Sequence, residues 1–274
     1  MSTTKFNADI GNQVFRDKVA AIYGWSTKTG TLDPRLMYYL QLVDQTGSLT
    51  AGKHLVDLGP GLAAFGPVAR ALGLEVTLID DFAGGGGVDR EQREKAMQIM
   101  AALRDQLGIQ LLEMDFLQTP LPLADASVDV VTCFHSLEHW HHSPKRLFAE
   151  ITRVVRPGGF LILATPNAVN LRKRIFALLG KSPVSSLKGW YHDGDPVYRG
   201  HVREPVIRDL HQILQWNGFD VISTQGRNYI GGYSIALRFL PSKCVRLIAT
   251  GANYLLRAFP SLCSDIHVIG QKRR

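Results

Sequence analysis

Short apolar runs alternate with stretches of helical periodicity along most of this sequence, and that rhythm leaves few architectures open. His54-Leu-Val-Asp-Leu58 runs into glycines and then a helical stretch to Leu72. Glu75-Val-Thr-Leu-Ile79, closed by Asp80, is followed by the glycines at 84–87 and a charged amphipathic helix near Asp89–Leu107. Ile109–Met114, Val128–Phe134 and Phe160–Ala164 read as further strands, with a helix over Pro144–Val155 and a Pro157-Gly158-Gly159 turn between. Strands joined by helices pair in parallel and need helical cover on both faces, so the pattern predicts a doubly wound α/β fold.

After Asn167 the alternation breaks. Residues 168–204 read as an insertion lying over the sheet as a lid; a helix over Glu204–Asn217, its stop at Gly218, and strands at Phe219–Thr224 and Asp265–Gly270 then complete a seven-stranded, mostly parallel sheet. The first fifty residues look helical and form a cap. The expected organisation is thus a helical cap (1–50), a Rossmann-like core (51–167), the lid (168–204) and a C-terminal completion (205–274) carrying a basic amphipathic segment, Pro241–Phe259.

With 274 residues, 45% of them hydrophobic and 20% charged, the chain can bury a full core. Three cysteines, Cys133, Cys244 and Cys263, form no C-x-x-C pair, which argues against a disulfide framework or a cysteine zinc site and fits a reducing cytoplasm. The polar start, Met1–Asn7, carries no signal-peptide pattern. Charge is unevenly placed. Residues 1–159 hold 15 Lys and Arg against 18 Asp and Glu, whereas residues 160–274 hold 16 against 6. Such a basic half can meet nucleic acid, anionic lipid or a phosphorylated substrate, or simply be solvated.

In Val56-Asp57-Leu58-Gly59-Pro60-Gly61-Leu62-Ala63 the first strand ends in glycines, which allow a sharp turn and close approach of backbone to a ligand. A dinucleotide fingerprint would want another glycine where Ala64 stands, which weighs against a nicotinamide-dependent oxidoreductase. Asp80, at the end of the second strand with Asp81 beside it, can accept hydrogen bonds from both hydroxyls of a ribose; a helix cap is the plainer alternative.

The series VDLGPG, LID, MDF, LPLADASVDVV, SLEH and LFAEITRVVRPGGFLIL resembles class I S-adenosylmethionine-dependent methyltransferases of the type 11-like group that modifies small molecules, lipids or glycans. The resemblance covers roughly residues 50–167 and, more loosely, His201–Thr224. It implies S-adenosylmethionine as cofactor, with Gly59, Pro60 and Gly61 beneath the methionine part and Asp57 near its ammonium. Asp80, with Asp81, would hold the ribose; Asp115 would accept from the adenine amino group and Phe116 pack near the ring; Phe134 and His135 would lie by the sulfonium. The family usually has a third glycine where Ala63 stands here. It also implies an enzyme rather than a non-catalytic cofactor-binding module, since the glycines and both acids are intact.

Methyl transfer from a sulfonium is an in-line displacement that needs alignment and, for a hydroxyl acceptor, a base. His135, Glu138, His139, His141 and His142 follow the fourth strand, at the sheet end where open α/β folds bind ligands. Histidine titrates near working pH, so His139, His135 and His201, with Glu138, are the candidate catalytic residues. Adjacent residues in one turn seldom converge on an ion, so no metal is expected. Tyr23, Trp25, Trp190, Tyr191 and Tyr198 are candidate walls of an acceptor site. Base-methylating enzymes usually carry an Asn/Asp-Pro-Pro-aromatic turn where this chain has Cys133-Phe134-His135-Ser136, which disfavours a nucleic-acid acceptor. Leu171–Leu179 and Pro241–Phe259 mix basic with apolar residues, so a peripheral contact with the inner membrane face accompanies the cytoplasmic expectation; the oligomeric state stays open.

Overall fold

A computed structural model describes residues 34–61, 65–82, 90–184, 187–192, 198–228, 251 and 254–274. Its strands are β1 (His54–Leu58), β2 (Glu75–Asp80), β3 (Gln110–Glu113), β4 (Val128–Phe134), β5 (Val155–Pro166), β6 (Phe219–Arg227) and β7 (Asp265–Lys272). They form one sheet in the order β3-β2-β1-β4-β5-β7-β6. Strands β1 to β5 pair in parallel, and β7 runs antiparallel between β5 and β6, as a mostly parallel seven-stranded sheet requires.

The described helices are α1 (Pro34–Gln45), α2 (Phe65–Ala71), α3 (Arg90–Leu107), α4 (Lys145–Val154), α5 (Leu171–Leu178), α6 (Leu187–His192) and α7 (Ile207–Trp216). Successive strand residues feed opposite faces. Leu55 joins Leu40, Val43, Phe65 and Met100 in one apolar cluster, while Val56 joins a second with Leu147, Phe148, Ile151 and Val154 of α4. The α4 residues recur at helical spacing, so that helix lays one apolar stripe on the sheet.

Two boundaries differ from expectation for identifiable reasons. Strand β5 begins at Val155, directly after α4, and carries Pro157-Gly158-Gly159 inside it. Its register against β4 shifts between Val128 and Val130, and a Cβ on Gly159 would press on the Asp129 carbonyl oxygen at 2.9 Å. Helix α7 starts at Ile207 rather than Glu204, because Pro205 restrains the residue before it to extended backbone. Glu204 is thereby left outside the helix. Of the expected cap, α1 falls among the described residues, and Pro241–Phe259 lies mostly outside them.

The topology puts a switch point between β1 and β4, where the chain, having run outward through β2 and β3, returns to the other side of β1. Antiparallel β7 brings a second contribution to the same edge. Pairing of Pro166 with Asp265 and of Ala164 with His267 places the start of β7 where β4 and β5 end.

Candidate active site

The turn after β1 is held by its own backbone. Gly59 N–H donates to the Ile79 carbonyl at 2.8 Å, and Gly61 N–H to Asp80 Oδ2 at 2.8 Å. Both glycines have positive φ, 69° and 52°. A Cβ on Gly59 would collide with the Ser136 hydroxyl, whereas one on Gly61 would meet nothing within 4 Å. Gly59 therefore serves close packing on the end of β4, and Gly61 faces open space that a ligand can share. Pro60 between them is buried.

Two carboxylates stand below this turn. Asp57 is 2% exposed and accepts from the Thr132 hydroxyl at 2.7 Å; burial pushes its carboxyl up to about 7, against the help of that hydrogen bond. Asp80 accepts from Gly61 N–H and, at 2.9 Å, from Phe82 N–H, so it ties the glycine turn to the end of β2. Burial raises its pKa as well, opposed by those two backbone donors. Its neighbour Asp81 accepts from Arg199 Nη1 at 2.9 Å.

Asp115 spends its side chain locally: Oδ1 accepts from Leu117 N–H at 3.0 Å and Oδ2 from Gln118 Nε2 at 2.6 Å. Phe116 is buried edge-on against Trp140, with ring centroids 6.0 Å apart. Phe134 stacks on Tyr39 of α1 at 4.2 Å and meets Phe65 edge-on at 4.9 Å. The sequence carried no signal that Tyr39 would reach the sheet end, because α1 touches it only through tertiary packing.

Beyond β4 the histidines divide into distinct environments. His135 holds left-handed backbone, φ 54°, with Nδ1 at 3.4 Å from Glu138 Oε1 and Nε2 at 3.3 Å from Asp265 Oδ2. Burial would lower its pKa, but the two carboxylates outweigh that and hold it at about 9. The balance of burial and two carboxylates favours a half-buried cation at neutral pH. Glu138 is 1% exposed and also accepts from the Thr165 hydroxyl at 3.1 Å; burial opposes its ionisation, and the charged His135 reverses the balance, lowering its pKa.

His139, in a 3-10 turn over Leu137–His139, places Nδ1 2.9 Å from the Arg199 carbonyl, an acceptor that assigns the proton to Nδ1 and leaves Nε2 with the lone pair. Its ring lies edge-on to His201, centroids 4.9 Å apart. His201 Nδ1 is 2.7 Å from Glu204 Oε1, and the other Glu204 oxygen faces the ammonium of Lys173. Burial pushes the His201 pKa down, only partly offset by Glu138, and neighbouring cationic groups lower it further. A neutral imidazole oriented through Nδ1 by a carboxylate offers Nε2 as a base.

Sequence reasoning missed Asp265, His267 and Lys173 as members of this cluster. Asp265 and His267 arrive on an antiparallel strand more than a hundred residues from His135, with no local motif. His267 is buried, and burial, reinforced by His135 and Arg227, pushes its pKa down to about 3, so it stays neutral beside its charged neighbour. Lys173 is the buried residue of α5, and burial pushes its ammonium down to about 8. Ligand atoms of His135, Asp265 and His267, and of Glu138, His139 and His201, come within 4.8 Å inside each set. Trp190 and Tyr191 are 58% and 71% exposed and do not wall the site; Tyr23 and Trp25 lie outside the described residues.

A glycine turn over one buried and one half-buried acid at a topological switch point, with ionisable side chains on the adjoining strand end, is the arrangement by which open α/β sheets hold nucleoside-bearing ligands. Comparison with known proteins gives the family. Residues 56–163 match the model of a methyltransferase domain. The malonyl-[acyl-carrier protein] O-methyltransferase of Serratia marcescens is 35% identical over 46% of this chain and 44% of its own length. The ubiquinone biosynthesis O-methyltransferase of Burkholderia thailandensis is 27% identical over 75% of this chain and 77% of its own. The chain spans only 34% and 44% of two curated relatives that are 35% identical to it. Among solved structures, phosphoethanolamine N-methyltransferase 2 of Haemonchus contortus, in complex with S-adenosyl-L-methionine, shares the fold with a TM-score of 0.54 at 14% identity, covering 95% of this chain and 60% of that one. Over residues 56–163 the chain carries a methyltransferase domain, and its relatives support an S-adenosylmethionine-dependent methyltransferase of class I.

Proposed function

We propose that this protein methylates an oxygen of a small-molecule, glycan or lipid-linked acceptor, with His201 as the base and Glu204 as the residue that orients it. The observation that carries the reading is the His201 Nδ1 to Glu204 Oε1 contact at 2.7 Å beside the nucleoside-binding strand ends. The residues fit the cofactor. The open space over Gly61 admits its methionine part, and Asp57, buried with a single hydroxyl donor, suits an ammonium. Asp80 keeps lone pairs for ribose hydroxyls, and Asp115 and Phe116 flank the adenine position.

Bound there, S-adenosylmethionine supplies an electrophilic methyl on a sulfonium. His201 Nε2 would take the proton of the acceptor hydroxyl as that oxygen is methylated, and Glu204 would stabilise the resulting imidazolium. His139, with its Nε2 free, stands next to His201 as a second hydrogen-bonding group for the acceptor. His135 is already protonated, so its role is to hold Glu138 and Asp265 and to lend positive charge to the pocket rather than to accept a proton. No helix among the described residues is long and apolar enough to cross a membrane.

The test is calorimetric titration with S-adenosylmethionine, S-adenosylhomocysteine and NAD, followed by labelled-methyl assays over soluble and lipid-linked hydroxyl acceptors. Binding of the two methionine-derived ligands, with transfer that His201→Ala abolishes, supports the proposal. Binding of NAD alone, or undiminished transfer by His201→Ala, overturns it.

A further inference from the structure

Helix α5 is built inside out. Within Leu171–Leu178 the one buried residue is Lys173, while Leu171, Ile175 and Leu178 are 41%, 47% and 87% exposed. The following Leu179 is 64% exposed. Helix α6 buries nothing, and Leu187, Trp190 and Tyr191 are exposed along it. Of the fifteen large hydrophobic side chains that are exposed among the described residues, nine fall between Val169 and Tyr191. Helices this short are not held by propensity alone and draw on packing of an apolar face. Here, among the described residues, nothing covers that face.

Charge tells what covers it. From Val169 to His192 the chain has no Asp or Glu and five Arg or Lys, of which Lys173 turns inward onto Glu204. Arg172, Arg174, Lys181 and Lys188 stand among the exposed apolar residues, with Arg172 and Lys181 over the Phe176 ring at 5.6 and 6.0 Å. Cations without anions, interleaved with aliphatic side chains and a Trp-Tyr pair, match an anionic bilayer surface, where the apolar atoms enter the acyl boundary and the cations meet lipid phosphates. A neutral or mixed-charge protein groove would not select this composition. Asn170 caps α5 through Lys173 N–H at 3.0 Å, and Arg174 ties its start to the Val169 carbonyl at 2.6 Å, so the surface is preformed.

We infer that α5 and α6 dock the enzyme on an anionic lipid surface and that its acceptor is lipid-anchored, entering beneath α5. The apolar side of α5 faces out, while Lys173 on its other side reaches Glu204, the residue that orients His201. One helix thus separates the bilayer from the acceptor cluster. The acceptor part rests on the function proposed above; the docking part does not.

The experiment is co-sedimentation with vesicles of phosphatidylcholine alone and of phosphatidylcholine with roughly a third phosphatidylglycerol, a composition that gives a negative surface potential. Binding to the second and not the first is expected. Arg172→Gln, Lys181→Gln and Lys188→Gln should each lower partitioning about fivefold, and Leu178→Glu should abolish it, all with S-adenosylmethionine affinity unchanged. These positions are exposed and outside the acceptor cluster, so the variants fold. No binding to anionic vesicles, or binding indifferent to these substitutions, overturns the inference. So does concentration-dependent dimerisation that Leu178→Glu abolishes, which would give the face to a second copy of the chain. A wild-type protein that binds cofactor but no anionic vesicle sinks the lipid surface alone; one that binds vesicles but no cofactor sinks the methyltransferase reading alone.

Discussion

Glu204 accepts from Nδ1 of His201 at 2.7 Å, which assigns the ring's lone pair to Nε2. The pair exists because Pro205 ends the extended segment and keeps Glu204 out of α7, where its carboxylate would have pointed along the helix instead. Proton removal by a positioned base contributes about 10²–10⁴-fold to rate. His201→Ala should therefore lower kcat by about that factor with cofactor affinity unchanged. Glu204→Gln keeps the shape but removes the charge that stabilises the imidazolium, so it should lower kcat with little change in KM. The acid limb of the wild-type pH profile should fall below the usual histidine value, since burial depresses the His201 pKa. Equal loss of cofactor affinity in both variants would mean the pair is structural.

Asp57, proposed above to meet the cofactor's ammonium, should make cofactor binding pH-dependent. Burial holds its carboxyl at about 7 in the fold, well above the ordinary carboxylate range. An ammonium beside it favours the ionised form, so binding releases a proton below pH about 7 and affinity falls as pH drops, by at most about tenfold per unit. Because the folded value lies above the unfolded one, the ionised group costs stability, and that cost is complete above pH about 7. Asp57→Asn should accordingly raise the melting temperature at alkaline pH while weakening S-adenosylmethionine. Calorimetry in buffers of different ionisation enthalpy reads the proton directly; affinity that stays flat from mildly acid to mildly alkaline pH would remove Asp57 from the ammonium site.

The two turn glycines should fail differently. Gly59→Ala drives a methyl into Ser136 and forces left-handed backbone on alanine, so it should destabilise the fold by several kcal/mol, about 2–4. Gly61→Ala meets no atom within 4 Å and costs only the backbone strain, about 1–2 kcal/mol. Its methyl nevertheless occupies the space assigned to the ligand. Denaturation midpoints and cofactor titrations on both variants should show Gly59→Ala damaged in stability and Gly61→Ala damaged chiefly in binding.

The strand ends and the glycine turn were readable because they are local. The strands that carry Asp57, Asp80 and Phe134 announce themselves as short, mostly apolar runs that give way to glycines or polar residues, and the fold follows from their alternation with helices. The roles of the histidines were not. His135 looks like a base in sequence, yet Asp265 turns it into a standing cation, and Asp265 arrives on an antiparallel strand whose register only the folded sheet reveals. Lys173 likewise reads as one more outward cation of a basic helix, and tertiary packing turns it inward onto Glu204.

That standing cation has a consequence for stability. His135 is held at about 9 in the fold, against about 6.5 for a free histidine, so it contributes stability that is complete below pH about 6.5 and is lost as pH rises through about 9. Counting the coupled His135 and Glu138 pair once, the contribution is on the order of 2–3 kcal/mol. Unfolding midpoints measured at pH about 6, 7.5 and 9 should therefore fall across that window. His135→Asn tolerates the left-handed backbone but leaves Glu138 and Asp265 without their cation, a loss of about 3 kcal/mol at neutral pH. Its midpoint should be lower than wild type near neutrality and should no longer decline toward pH about 9. If the wild-type midpoint is flat over that range, His135 is neutral in the folded protein and regains its standing as a candidate base.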